Sequence, residues 1–479
     1  MTAAAQRARR WTSAVLARAL GGAALILLEN GVPAYATPTQ TEPPTPPASE
    51  AQSITLPRAD RKLVSGDQYI ALPIDELLAE DVMVARERNP ADRSARGVAV
   101  LMRKRPNYDP PGLHAGGFTV FPAISLSPEY SSNVFREPRG VSDAVGTVRA
   151  DVVARSNWRS NQLILDGFVQ RAQFANQSSQ DATTYRARAA GRLDIDRNSF
   201  LALTVLRQRI VEDRGGVGEV LSPLDPVRYD QTGALASART ESGSFWAEFN
   251  GGFDRFTYTV QNDATRGSQD FRNYDRYQAG GALGYRITRD RSIFVSGREE
   301  IRQFTARATP RRDVHLLELL GGIDSEITPL IRGRLAAGYL LANFDDPTVP
   351  DRSGFALDAS ISYLFSELTT FTLAARRTLR NVASANSVGA IVTTVRLEAD
   401  HELFRNVILS PAVTYETADY SDTHAVARVI EPEFIVRWLI NRRWRANAIL
   451  QYRNRTGRGF AADRDYASLN LSMGLTLQF

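Results

Sequence analysis

The chain closes on Leu469-Asn-Leu-Ser-Met-Gly-Leu-Thr-Leu-Gln-Phe479, in which apolar and polar or small residues alternate without a break. Leu469, Leu471, Met473, Leu475, Leu477 and Phe479 share one face; Asn470, Ser472, Gly474, Thr476 and Gln478 share the other. A period of two is the signature of an extended strand with one face in an apolar medium and one in a polar medium. A run of this length exceeds the ~5–6 residues usual for a strand in a globular protein. It matches the ~9–11 residues of a tilted transmembrane strand.

The same pattern recurs upstream as far as Gly117. Tyr185, Ala187, Ala189, Gly191, Leu193 and Ile195 alternate with Arg186, Arg188, Ala190, Arg192 and Asp194. Phe355, Leu357, Ala359, Ile361, Tyr363 and Phe365 alternate with Ala356, Asp358, Ser360 and Ser362, and Trp444, Ala446, Ala448, Leu450 and Tyr452 with Arg443, Arg445, Asn447, Ile449, Gln451 and Arg453. Short polar turns are expected at 157–160, 196–198, 250–254, 289–291, 328–329, 367–368, 404–406 and 441–442. Longer loops fall between them, the longest at Arg214–Ala236. These connections imply 18 antiparallel strands, or 16 if the weaker alternation in Leu163–Phe174 and Phe200–Val211 marks no strand. A membrane sheet must close on itself, because lipid offers no water to an unpaired edge. The expected fold is therefore an all-β transmembrane barrel over 117–479, with a largely disordered N-terminal arm. An even strand count puts both barrel ends on the side of the short turns, which in outer-membrane barrels is the periplasm. Trp158, Trp438 and Trp444 sit at or beside short turns, where an interfacial aromatic girdle belongs. Blades of about 40 residues would also suit a β-propeller, but its four short strands per repeat and recurring blade motif are missing.

The residues before the barrel divide in two. Arg7, Arg9 and Arg10 precede the apolar run Ala19–Leu28, and Ala34-Tyr35-Ala36 offers small residues for cleavage, so 1–36 reads as a secretory signal peptide. Residues 37–116 read as a Pro-rich linker followed by one short helix over 73–84.

Composition narrows the function. Of 479 residues 43% are hydrophobic, mean hydropathy is −0.27, and no run is long enough for a transmembrane helix. The chain has no cysteine, which excludes disulfide staples and thiolate metal sites. Its net charge is +5, and of 58 basic residues only Lys62 and Lys104 are lysine, leaving 56 arginines. The charge is mixed along every strand, which argues against nucleic acid as a partner. His114, His315, His401 and His424 are scattered, with no catalytic set and no metal-ligand spacing, so neither an enzyme nor a cofactor is expected. His401-Glu402 reads as solvated polarity beside a short turn.

In the cleanest strands the arginines share the polar face with acids. The candidate lumen-lining set is Arg186, Arg188, Arg192, Asp194, Arg332, Arg334, Asp358, Arg376, Glu398, Glu431, Glu433, Arg443, Arg445 and Arg453. Opposed charges across a lumen could coordinate charged or polyhydroxyl cargo. They could equally pair with one another and stiffen the wall. Similarly, the Arg214–Ala236 loop could fold inward as a constriction or stay on the surface.

Pro106–Phe135 (PNYDPPGLHAGGFTVFPAISLSPEYSSNVF) carries a Pro- and Tyr-containing linker, a Gly-x-Phe strand start at Gly116, Gly117 and Phe118, and Tyr130, Asn133, Val134 and Phe135 at a loop. With LTTFTLAARRTLRN, ADHELFRNVILSPAVTYETADY and the closing strand, it resembles the putative β-barrel porin 2 family of outer-membrane proteins over about residues 100–479. Related barrels accompany exopolysaccharide synthesis and secretion genes, so the resemblance implies an outer-membrane conduit, with polysaccharide export components as partners. Small hydrophilic solutes are the other expected cargo. The competing expectation is a closed structural barrel that docks a periplasmic partner through its N-terminal arm. The terminal Phe479, with Leu477 and Leu475, resembles the signal read by the barrel assembly machinery. Outer-membrane lipid is the remaining expected partner.

Overall fold

In the computed structural model, residues 98–216, 226–260, 269–288, 290–305, 311–382, 389–420 and 425–479 are described. The expected signal peptide, the helix over 73–84 and His424 lie outside them.

A short strand β1 (Leu113–Ala115) precedes eighteen long ones. These are β2 (Phe118–Ser131), β3 (Asp143–Ser156), β4 (Gln162–Phe174), β5 (Ala182–Asp194), β6 (Phe200–Val211), β7 (Val227–Ser242), β8 (Phe245–Val260), β9 (Tyr274–Thr288) and β10 (Arg291–Phe304). They continue as β11 (Val314–Thr328), β12 (Ile331–Phe344), β13 (Arg352–Ser366), β14 (Thr369–Asn381), β15 (Gly389–Phe404), β16 (Val407–Tyr420), β17 (Ala425–Leu439), β18 (Trp444–Arg458) and β19 (Tyr466–Gln478). Each of β2–β19 pairs antiparallel with the next, and β19 returns to β2 through Asn470↔Ser131 and Leu477↔Ile124. The Phe479 amide donates to the Pro122 carbonyl at 3.1 Å and extends that seam. An 18-strand barrel closes in this way with no free edge, as a sheet in lipid requires. The two doubtful segments are the strands β4 and β6, which settles the count at 18 rather than 16.

Alternation decides which way each side chain points. On β19 Leu469, Leu471, Met473 and Leu475 are exposed on the outer surface, while Asn470, Ser472, Thr476 and Gln478 are buried on the inner one. Trp158, Trp438 and Trp444 are exposed on the outside near the short turns, as a girdle demands. Trp246 points inward and is buried.

Two expectations change. The turn expected at 250–254 lies inside β8; the chain reverses instead at Gly243-Ser244, with Ser242 opposite Phe245 and Gly243 at φ +58. The loop expected over Arg214–Ala236 is shorter, because β7 already begins at Val227. The physical reason is that β7 and β8 run 16 residues, well past the ~9–11 that cross hydrocarbon. Beyond the lipid band the pattern inverts. Val227 and Tyr229 face inward and are buried, while Arg228, Asp230 and Thr232 occupy the outer face. A strand whose apolar residues change sides reads as a loop.

Candidate functional site: a charged lumen with chain folded in at both ends

The inner wall is built from arginines held by acids on the same strand or on a strand one or two away. On the β3–β10 side Asp166 takes both Arg188 and Arg186, the latter at 3.3 Å, and Arg149 pairs with Asp151 and lies 3.6 Å over the Phe168 ring. Arg192 meets Asp194 at 2.9 Å and lies 3.8 Å over Phe200. Deeper along the same wall Gln208 donates to Gln231 at 2.7 Å, Gln231 to Asp254 at 2.9 Å, and Arg276 to Asp254 at 2.6 Å. Asp254 is 0% exposed, so its charge persists only because these donors surround it. Glu300 is paired with Arg302 in the same way.

On the β14–β18 side Arg396 bridges Glu398 (3.1 Å) and Glu433 (2.9 Å), and Arg453 reaches Glu431 at 3.3 Å. Arg445 faces inward on β18, and Arg443 is exposed at the turn before it. Between these sectors the wall of β11–β13 is open. Arg332 holds Glu326 at 3.1 Å. Arg334 lies 4.1 Å over Phe294 and stands opposite Asp324 on one side and Ser360 on the other. Arg334, Asp324 and Ser360 point inward and are nevertheless exposed, so free space lies in front of them. Asp358 stands directly opposite Arg376 on the same face. The candidates other than Arg443 thus share one inner surface, in two environments: a closed ion-pair lattice and an accessible sector.

At the turn end, residues 98–109 run along the inner wall from β14 toward β2. Val100 is 0% exposed, and its amide donates to Thr370 Oγ1 at 3.1 Å. Arg105 Nη2 meets Glu402 at 2.8 Å and Arg103 Nη1 meets it at 3.4 Å. Arg442 donates to the Pro106 carbonyl at 2.7 Å, Gln478 to the Tyr108 carbonyl at 3.5 Å, and β1 then pairs with β2 through Leu113↔Val120. Burial lowers the Arg103 guanidinium, which Glu402 draws back up, and burial raises the Asp109 carboxyl. Glu402, expected to be solvated beside a turn, is the anchor of this strap; His401 faces outward onto Thr369 at 2.9 Å.

At the loop end, Asp213 takes Arg136 at 2.6 Å and Arg453 at 2.7 Å. Asp213 follows β6 and Arg453 lies on β18, six strands away around the barrel, so this pair spans the mouth rather than following the wall. Gly215, at φ +69, accepts from Tyr466 Oη at 3.3 Å, and Arg214 donates to Gln180 at 2.6 Å. Arg272 holds Glu212 at 2.8 Å; burial would lower the guanidinium and Glu212 raises it, with a net rise. A 3-10 turn at Gly459–Arg464 folds over inward Ala390, Val392, Ala418, Tyr420, Ala425 and Ala427, placing Phe460 5.0 Å from Tyr420. The described start of the long loop therefore folds inward; residues 217–225 lie outside the described set.

Sequence reading missed Val100, Arg103, Arg105, Arg136, Asp213 and Glu402. Their contacts join segments up to 299 residues apart, and no local spacing announces them. A faint signal was Asp213-Arg214-Gly215-Gly216, where a glycine follows a strand at a sharp bend.

A closed antiparallel barrel, apolar outside and charged within, defines a β-barrel of the outer-membrane type. The chain belongs to the family described as putative beta-barrel porin 2, whose model matches residues 105–479, and this places it in the outer membrane. No curated protein is significantly similar. Among solved structures it is similar to the outer membrane protein OpdK of Pseudomonas aeruginosa, with 12% identity, 75% of this chain and 99% of that one covered, and TM-score 0.45. It is also similar to a BenF-like porin of Pseudomonas fluorescens Pf-5 (10%, 75% and 99%, TM-score 0.43) and to a bacterial polysaccharide outer membrane secretin (11%, 75% and 98%, TM-score 0.34).

Proposed function

We propose that the barrel is a water-filled channel for small hydrophilic solutes, oriented with its short turns and both barrel ends in the periplasm. The observation that carries this reading is the accessible inward sector of Arg334, Asp324 and Ser360. Side chains that point inward yet stay exposed require space, and their polarity requires that the space be wet. The lattice elsewhere pairs nearly every inward charge with an opposite one. Such a wall has little net attraction for ions, while its guanidinium, carboxylate and hydroxyl groups suit polyhydroxyl solutes. Asp358, Arg376 and Arg334 are the residues proposed to touch cargo. A polysaccharide shares this chemistry, but its passage would require the inserted segments at both ends to move aside. Swelling of liposomes in sugars of increasing size tests the reading. Entry of mono- and disaccharides with exclusion of longer oligomers supports the small-solute channel, and entry of long oligomers favours a polymer conduit.

A second reading, a closed barrel that docks a periplasmic partner, is favoured by the segments folded in at both ends. Deleting 37–97 leaves the strap in place and separates the two. Loss of partner binding with unchanged swelling supports docking. Residues 1–36 act as the export signal in this proposal, and Phe479, Leu477 and Leu475 as the assembly signal. Phe479→Ala is expected to slow assembly, read as unfolded barrel on gels.

A further inference from the structure

The lipid-facing rows of β4–β8 change character toward the loop end. On β6 the outward series runs Leu201, Leu203, Val205 and then Arg207 and Arg209; on β4 Leu165 and Val169 lead to Arg171; on β8 Phe249 and Phe253 lead to Arg255. Register joins these into one patch. Arg171 lies opposite Thr183, Arg209 opposite Tyr185 and Asp230, Arg207 opposite Thr232, Thr232 opposite Arg255, and Val211 opposite Arg228. Five arginines thus meet three aspartates. Arg209 and Arg255 each engage one carboxylate through Nε and Nη2, with Asp230 (2.9 and 2.8 Å) and Asp275 (2.8 and 2.9 Å), and Arg171 meets Asp181 at 3.0 Å. A guanidinium carries five N–H donors, so these pairs leave donors facing outward. The Arg255 side chain is 63% exposed. Arg207 has only the Thr232 hydroxyl, at 3.2 Å, and no carboxylate among the described residues.

We propose that this patch binds the phosphate groups of an outer-leaflet lipid. Arginine is costly within hydrocarbon and nearly free at its boundary, so these side chains mark the headgroup level. Guanidinium is the side chain best matched to phosphate, which can share two donors at once. Among the described strand residues, the other outward arginines at this end, Arg377, Arg428 and Arg458, lie apart on β14, β17 and β18. This site rests on the proposed orientation, with the loop end outside.

Binding of lipopolysaccharide to the full-length purified protein tests it, with dephosphorylated lipopolysaccharide and inorganic phosphate as parallel probes. Arg207→Gln/Arg255→Gln is expected to weaken lipopolysaccharide binding at least tenfold and Arg428→Gln to leave it unchanged. The dephosphorylated form should bind the unaltered protein as weakly as intact lipopolysaccharide binds the double variant, and inorganic phosphate should not bind at millimolar concentration. Unchanged affinity in the double variant, or equal affinity for the dephosphorylated form, overturns the site. Inorganic phosphate binding as tightly overturns the lipid as its source. Arg207→Gln alone strands no carboxylate and serves if the double variant does not fold. Orientation is read separately. Because the chain has no cysteine, Ser178→Cys should react with an impermeant maleimide on intact cells. If the cysteine stays unlabelled while lipopolysaccharide binding persists in vitro, the orientation fails and the phosphate site stands.

Discussion

Arg105 and Glu402, 297 residues apart, meet at 2.8 Å on the inner wall, fastening the segment ahead of the barrel to the turn end of β15. Both side chains are about nine-tenths buried, and Arg105 also donates to the Val100 carbonyl at 2.9 Å. The strap is thus tied to the inner wall at the turn end of the barrel.

Glu402→Gln should loosen it. The variant keeps an acceptor but loses the charge that holds Arg103 and Arg105, weakening the attachment by about 1–3 kcal/mol. Trypsin should then cut faster after Arg103 and Lys104, and single-channel conductance should rise. Unchanged proteolysis and conductance would mean that the strap does not guard the mouth.

The loop end offers the matching variant. Asp213→Asn removes the charge shared by Arg136 and Arg453, and amide hydrogen exchange in 212–216 should accelerate. Gly215→Ala should act in the same direction, because a Cβ at φ +69 would run into the Tyr466 ring. Exchange as slow as in the unaltered protein would show that the inward fold is held by something else.

The ion-pair lattice predicts unequal costs for similar substitutions. Arg276→Met strands the buried Asp254 carboxylate and should cost about 3–5 kcal/mol. Arg332→Met breaks a wetter pair with Glu326 and should cost at most about 1 kcal/mol. Thermal unfolding in detergent, followed by heat-modifiable gel migration, measures the difference. Equal costs would contradict the two environments described for the wall.

Asp313, just before β11, gives a pH test. Burial, with Asp345 nearby, raises its carboxyl, while the Phe304 amide donates to it at 2.6 Å. A raised folded value means the ionised form is disfavoured, so this group's stabilising contribution is complete below its unfolded value and falls away as pH rises through the folded one. Asp313→Asn should therefore melt later than the unaltered protein at neutral pH. Its advantage should vanish as pH falls below the ordinary aspartate value of 3.8. A constant difference at every pH would rule out titration as the cause.

Alternation made the barrel legible, because water inside and lipid outside impose opposite demands on successive residues. The same alternation runs through β5, β12 and β18, where Arg188, Arg334 and Arg453 stand on the inner face. The reading failed where those demands stop. In β7 the outer face passes the lipid boundary, so Arg228 and Asp230 replaced apolar residues and the strand resembled a loop. In β8, Asn250-Gly251-Gly252 carries turn chemistry, yet each residue is paired with a neighbouring strand. The inserted strap and the Asp213 strut were illegible because they depend on closure, which brings distant segments together only after every strand has found its place.

A water-filled charged lumen conducts ions. Purified full-length protein in a planar bilayer should give discrete ohmic current steps, with weak preference between cations and anions because the wall charges are paired. A barrel that inserts fully folded yet stays sealed at every voltage and pH would contradict the channel.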